Sequence, residues 1–336
     1  MNIMIKPVSG RCNLGCRYCF YKEGHETAAS MSAADACRVL DSLAPYLRCG
    51  YPLVFQGGEP LLAGYDFFAA VIGHLSKLGY AGQVSVQTNG TLIDGRIAAL
   101  FAENGVLVGV SLDGDELSHS VYREDFAGVM RGIGHLEKAG CDFNILTVVT
   151  DETAARIGQI YEFYRREGFD YQQYIPCIGA GRLSDAAYGE FLVRLFRLWR
   201  DDIAAGRRVY IRLFENIRMI LSGAYPEDCG AAGVCTPQLL IESDGSVYPC
   251  DFYVKEELKL GNILTDSVED ILNAPAGVRF TESSWELPEK CSRCRFIDLC
   301  RGGCRRYRND EGLFIYCSAY RRFFRECIKE FEDIAY

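Results

Sequence analysis

Sixteen cysteines in a chain of 336 residues, eleven of them gathered into two stretches, constrain this sequence more than any other feature. Cys12, Cys16 and Cys19 stand together near the start, in the spacing C-x3-C-x2-C. Eight more follow as Cys229-x5-Cys235-x14-Cys250, then Cys291-x2-Cys294-x5-Cys300-x3-Cys304, then Cys317. A small secreted scaffold would use such residues for disulfides. This chain is too long for that class, and its opening MNIMIKPVSG lacks the apolar core of a signal peptide. A cytoplasmic protein is the expectation, and in a reducing compartment clustered thiols read as metal ligands. The other five, Cys37, Cys49, Cys141, Cys177 and Cys327, fall in helical or strand patterns and read as ordinary buried thiols.

Composition narrows the class. With 49% hydrophobic, 24% charged and 12% aromatic residues, the chain is globular rather than disordered and long enough for a sizeable core. The longest clean apolar stretch, residues 106–112, is strand-sized, so no membrane partner is expected. The net charge of −9 is uneven: from Lys290 to Arg325 the balance is +7, which leaves −16 on the rest. A nucleic-acid-binding chain would more often be basic overall. A basic tail suits thiolates around an iron–sulfur cluster, whose net negative charge nearby arginines stabilise.

The first half alternates strand and helix patterns. Strands are expected at 3–7, 53–56, 83–87, 107–112, 142–149 and 171–175, and helices at 32–47, 66–78, 93–103, 128–139 and 153–167. Six β–α units in a row imply an α/β fold with a parallel sheet, either a partial barrel or an open doubly wound sheet. In both, function sits at the C-terminal strand ends. Beyond about residue 180 the pattern changes to a long amphipathic helix at 185–205 with Phe191, Leu192, Leu195, Phe196 and Trp199 on its core face. A second helix is expected near 214–221, a hairpin turning at Asp244-Gly245, and an aromatic helix near 319–331. The domain boundary falls at 178–184.

Three cysteines on one loop can hold three corners of a cubane cluster and leave a fourth iron open to a ligand. A structural zinc site would need a fourth donor, for which His25 is the nearby candidate. One strand later comes Phe55-Gln56-Gly57-Gly58-Glu59-Pro60, where paired glycines permit close backbone approach and Glu59 offers a carboxylate suited to an ammonium. Gln87-Thr88-Asn89-Gly90 and Ser111-Leu112-Asp113-Gly114 end the next two strands. For Asn89 and Asp113, helix capping is as good a reading as ligand contact. Ser111 is the better contact, and Arg123 could pair with a ligand carboxylate.

The triad with an aromatic before its third cysteine, followed by Gly-Gly-Glu-Pro, resembles the radical S-adenosylmethionine superfamily. The C-terminal cysteines resemble the SPASM domain, which holds two auxiliary 4Fe–4S clusters. Within that group the chain is similar to the anaerobic sulfatase-maturating enzymes, on Cys-Arg-Tyr-Cys-Phe-Tyr (16–21), Phe-Gln-Gly-Gly-Glu-Pro (55–60), Gln-Thr-Asn-Gly-Thr-Leu (87–92), Phe-Asn-Ile-Leu (143–146), Glu-Ser-Asp-Gly-Ser-Val-Tyr-Pro-Cys-Asp-Phe-Tyr-Val (242–254) and Gly-Gly-Cys-Arg-Arg (302–306).

The resemblance implies a partial (β/α)6 barrel over 1–180, then linker helices and a SPASM domain over 181–336. It implies three 4Fe–4S clusters and S-adenosylmethionine as cofactors. The activity implied is oxidation of a Cys or Ser of an unfolded sulfatase, in a Cys/Ser-x-Pro-x-Arg segment, to Cα-formylglycine. An electron donor such as a flavodoxin or ferredoxin is implied as partner. By the same resemblance Cys12, Cys16 and Cys19 hold the first cluster. The second takes Cys229, Cys235, Cys250 and Cys304, and the third Cys291, Cys294, Cys300 and Cys317. Tyr18, Glu59, Ser111, Arg123 and Ile178 contact S-adenosylmethionine, and Asp251 is the proton acceptor. On position alone Asp251 serves equally well as a turn cap after the hairpin. The alternatives are a SPASM peptide maturase that forms thioether or other crosslinks in a ribosomal peptide, and a non-enzymatic zinc or iron–sulfur module. Such maturases commonly carry an extra N-terminal recognition domain, and a triad beginning at residue 12 leaves no room ahead of it.

Overall fold

The computed structural model describes residues 2–22 and 30–334. Ten strands follow in chain order: β1 (Asn2–Ile5), β2 (Leu53–Phe55), β3 (Val84–Thr88), β4 (Leu107–Ser111), β5 (Phe143–Val149), β6 (Tyr171–Pro176), β7 (Tyr210–Ile211), β8 (Gln238–Ile241), β9 (Ser246–Tyr248) and β10 (Gly261–Asn262). Packing groups the chain into two compact units, each drawn from separated stretches. The first is Met1–Ser111, Glu124–Phe143 and Pro237–Phe280; the second is Leu112–Arg123, Asn144–Thr236 and Thr281–Tyr336.

In the first unit β1 runs parallel to β2, β2 to β3, and β3 to β4. Helices Ala33–Arg48, Tyr65–Lys77 and Gly95–Glu103 connect them. The strands bury one face fully: Ile3, Ile5, Leu53, Phe55, Val86, Val108 and Val110, set side by side by the register, are all buried, while Met4, Val54 and Ser85 between them are half-buried. Phe68 meets Phe55 and Phe101 edge-on, at centroid distances of 5.6 and 5.5 Å.

The other side of β1 carries a pairing that the β–α alternation did not foretell. β8, from the cysteine-rich half, lies parallel to β1 with Ile5 opposite Ile241. The chain then turns at Asp244-Gly245, where Gly245 has φ +85°, into antiparallel β9, as the hairpin reading required. Residues just past the end of β1 thus lie beside residues just past the end of β8.

In the second unit β5, β6 and β7 are parallel. The long helix, Asp185–Ala204, packs on the last helix, Cys317–Asp333, with Phe196 and Phe331 rings 4.5 Å apart. Phe191, Leu192, Leu195, Phe196 and Trp199 are buried, as their spacing required. Asp185 accepts from the Ser318 and Ala319 amides at the start of the last helix, at 3.1 and 2.7 Å. A carboxylate placed there matches the positive end of a helix dipole.

Two expectations are corrected. The single helix at 153–167 is two, Asp151–Ala155 and Ile157–Glu167, because Arg156 leaves helical geometry (φ −102°, ψ 13°). The break directs its guanidinium to Asp115 at 2.7 Å. Of the five cysteines read as buried, Cys141, Cys177 and Cys327 are. Cys37 is half-buried, and Cys49 is exposed at the C-terminal end of helix Ala33–Arg48. Among the described residues no helix is long and apolar enough to cross a membrane.

Candidate active site

The motifs of the first unit converge at the C-terminal ends of adjacent parallel strands: the cysteine loop after β1, Glu59 after β2, Asn89 after β3, and Ser111 closing β4. Cys12 receives the Leu14 amide at 3.4 Å and Asn89 Nδ2 at 3.8 Å. Burial raises the Cys12 thiol above its ordinary value, while these two donors pull the other way, towards thiolate. Asn89 also donates to Asn13 Oδ1 at 2.8 Å, so it braces the cysteine loop and caps no helix; Asp94 caps Gly95–Glu103.

The Gly-Gly-Glu-Pro segment does something that the sequence did not show. The Gly58 amide donates to Ser9 O and the Glu59 amide to Arg11 O, both at 2.8 Å. A Cβ on Gly58 would lie 2.1 Å from Arg11 O and 2.5 Å from Gly10 O. These glycines therefore admit the chain's own cysteine loop. Gly58→Ala is expected to displace that loop and, where Cys12, Cys16 and Cys19 hold a cluster as the resemblance implies, to lower the iron that the protein takes up by at least about a quarter. Iron analysis of wild type and variant after identical anaerobic loading checks this.

Glu59 is fully buried, and its carboxylate accepts from the Leu61 amide (3.0 Å), Thr88 Oγ1 (2.8 Å) and the Asn89 amide (2.7 Å). It thereby ties the end of β2 to the end of β3. Tyr18 is half-buried on the cysteine loop, and Ser111 is buried. In the second unit Asp113 is held by the Val148 amide at 2.8 Å and by Arg123 Nε at 3.3 Å, so Arg123 already has a buried carboxylate partner. Asp113 likewise caps no helix; that role falls to Asp115. Ile178 is half-buried beyond β6. His25, the possible zinc ligand, lies outside the described residues.

Around Asp251 the β1–β8 pairing builds a charge cluster. Lys6, fully buried, places Nζ 2.7 Å from Asp251 Oδ1 and 2.9 Å from Glu242 Oε1. Burial alone would lower the Lys6 ammonium, but the carboxylates of Asp251 and Glu242 outweigh it and leave it above the usual lysine value. Tyr21, two residues past Cys19, points its hydroxyl at both Asp251 oxygens (2.6 and 2.7 Å), and its ring lies 4.6 Å from Nζ. Burial, then Asp251, pushes the Tyr21 hydroxyl well above its ordinary value, so it stays a proton donor. Ser9 and Ser243 close the same seam at 2.8 Å. Lys6, Tyr21 and Glu242 were missed at the sequence level; the one signal was a lysine and a glutamate each directly following an apolar strand.

In the second unit Cys304 and Cys235 act on Cys229, and Cys317, Cys291 and Cys294 act on Cys300. Burial and these neighbours push Cys229 up to about 12 and Cys300 to about 11. The second group lines one cavity of about 430 Å³. Arg308 clips the loops together by donating to the carbonyls of Gly233 (2.7 Å), Ser284 (2.7 Å), Gly303 (3.0 Å) and Gly302 (3.1 Å). Cys250, the remaining member of the eight, belongs to the first unit, immediately before Asp251.

Along the chain eleven cysteines gather by threes and fours, which is the donor chemistry of iron–sulfur clusters. The family model for the radical SAM superfamily matches residues 7–164, and that for the iron–sulfur cluster-binding SPASM domain matches residues 233–295. The α/β fold and its cysteine groups are thus those of a radical S-adenosylmethionine enzyme with a C-terminal SPASM domain, a class that binds S-adenosylmethionine, a 4Fe–4S cluster and additional clusters. Over its whole length the chain is 36% identical to the cysteine-type anaerobic sulfatase-maturating enzyme of Clostridium perfringens (strain 13 / Type A), covering 100% of this chain and 98% of that one. It is 31% identical to the serine-type enzyme of Klebsiella aerogenes, covering 97% and 85%. The solved structure "Native anSMEcpe with bound AdoMet and Cp18Cys peptide" superposes with a TM-score of 0.94 at 34% identity, covering 99% of this chain and 98% of that one. The chain belongs to the anaerobic sulfatase-maturating enzyme family.

Proposed function

We propose that this protein oxidises a cysteine or serine of an unfolded sulfatase segment to Cα-formylglycine, in the cytoplasm and without oxygen. The observation that carries this reading is Asp251, held by Lys6 just past β1 and by Tyr21 just past the cysteine loop. A carboxylate that follows β9 is thereby tied to the loop that would hold the first cluster. Full-length likeness to enzymes named for this activity favours it over crosslinking of a ribosomal peptide. In chain order we assign 1–180 to the radical SAM partial barrel and 181–336 to linker helices and the SPASM domain.

Cys12, Cys16 and Cys19 would hold the first cluster, with Tyr18, Glu59, Ser111, Arg123 and Ile178 around S-adenosylmethionine. Cys229, Cys235, Cys250 and Cys304 would hold the second, and Cys291, Cys294, Cys300 and Cys317 the third. When bound, these cofactors supply a 5′-deoxyadenosyl radical that takes a hydrogen atom from the target Cβ, and a sink for one electron. The chain's own part is the proton. An Asp251 oxygen accepts it from the target thiol or hydroxyl, which the neighbouring carbon radical has acidified. Lys6 fixes the carboxylate in place, and Tyr21, itself unable to ionise at neutral pH, donates a hydrogen bond to it. Loss of H•, H⁺ and one electron leaves a thioaldehyde or aldehyde; water replaces the sulfur of the former and releases hydrogen sulfide.

The test is anaerobic. The reduced, cluster-loaded protein is given S-adenosylmethionine and peptides with Cys-x-Pro-x-Arg or Ser-x-Pro-x-Arg, and their mass is read. Replacement of the thiol or hydroxyl by an aldehyde is the expected result. Cofactor cleavage with both peptides unchanged would sink the reading.

A further inference from the structure

The cavity lined by Cys291, Cys294, Cys300 and Cys317 has a mouth of one sign. Lys290, Arg293, Arg295, Arg321 and Arg325 line it, and no carboxylate does. All five are exposed. Arg293 is matched by Glu289 outside the cavity. Lys290, Arg295, Arg321 and Arg325 have no ion-pair partner among the described residues. Four thiolates around a cubane carry a formal charge of about −2 when oxidised. The unmatched cations exceed that, so holding a cluster leaves the mouth positive. The rest of the chain is acidic, so a positive patch here is a local exception. Just ahead of it Trp285 and Leu287 present exposed apolar surface.

The established class needs electrons from outside, since reductive cleavage of the sulfonium consumes one electron per event. We infer that the cationic rim formed by Lys290, Arg295, Arg321 and Arg325 is the docking surface for an acidic one-electron carrier protein. The inference rests on reading these four cysteines as cluster ligands. The carrier's acidic face meets the rim, and Trp285 and Leu287 supply apolar contact at its edge. One electron would then pass: a carrier flavin would go from hydroquinone to semiquinone, and the cluster that Cys291, Cys294, Cys300 and Cys317 would hold would accept that electron. Electron-transfer interfaces are small and transient, so a few unmatched charges suffice to orient the partner and to make binding salt-dependent.

The test uses the cluster-loaded full chain and a purified flavodoxin as probe, with binding measured by calorimetry and no peptide present. Micromolar affinity that weakens at least tenfold between 20 and 200 mM salt, about the behaviour expected of a charged rim, is the expected result. Arg295→Glu with Arg325→Glu is expected to weaken binding more than tenfold. Arg131→Glu with Lys138→Glu, an equal charge change on the surface of the first unit, is expected to stay within twofold. Hydrogen exchange on the wild type is expected to show flavodoxin protecting residues 289–325. Protection elsewhere, equal losses in both double variants, or loss of iron from the rim variant, which would assign the arginines to holding the cluster, overturns the inference. None of these readouts depends on formylglycine formation, so failure of that activity and failure of the docking surface are separately visible.

Discussion

Asp251→Asn is expected to lower formylglycine formation by at least about 100-fold, while S-adenosylmethionine is still cleaved to 5′-deoxyadenosine at near the wild-type rate. The reason lies in what the change leaves alone. Lys6 keeps Glu242 at 2.9 Å, so the buried ammonium is still paired and the fold is not asked to carry an orphan charge. Cys250 and the cysteine loop keep their backbone. What goes is the proposed proton acceptor and its ion pair with Lys6, because an amide oxygen is uncharged and far too weak a base to take a proton from a thiol. Peptide mass and 5′-deoxyadenosine, measured in the same samples, check the split. A loss of both products in parallel would make Asp251 a structural residue, and full turnover by the variant would remove it from the mechanism.

What could be read from the sequence was what is local. The C-x3-C-x2-C loop, the Gly-Gly-Glu-Pro turn and the Asp244-Gly245 hairpin each depend on a few neighbouring residues, and each appears where it was expected. The eight C-terminal cysteines could be grouped by the family pattern, and within the second unit Cys291, Cys294, Cys300 and Cys317 do line one cavity. The Lys6–Glu242 pair was out of reach, because its members lie 236 residues apart and meet only through the parallel β1–β8 register. A one-residue shift in that register would turn these side chains to opposite faces. Arg156 was hidden for another reason: apolar spacing continues across it, and its charge partner, Asp115, caps a different helix. Motif reading also assigned Gly57-Gly58 to a ligand, where packing assigns them to the backbone of residues 9–11.

Replacing Lys6 by methionine is expected to destabilise the protein by about 3–5 kcal/mol, the usual cost of removing one partner from a buried ion pair. Methionine has nearly the length and volume of lysine, so packing alone predicts a loss below about 1.5 kcal/mol, and the two accounts are separable by magnitude. The charge account holds because Asp251 and Glu242, with side chains 14% and 6% exposed, would face each other with no cation between them. Adding Glu242→Gln removes one of the two charges and should recover part of the loss, whereas independent effects would simply add. The pH dependence follows from the raised Lys6 value. A group whose folded pKa lies above its unfolded one contributes fully below the unfolded value, about 10.4 for lysine, and its contribution fades as pH rises through the folded value. The gap between wild type and Lys6→Met should therefore be the same at pH 7 and pH 9. Chemical unfolding of the two proteins and the double variant at both pH values measures it. A gap under 1.5 kcal/mol (about the packing limit), or no recovery in the double variant, would show that the buried ammonium is not what holds Asp251 beside β1.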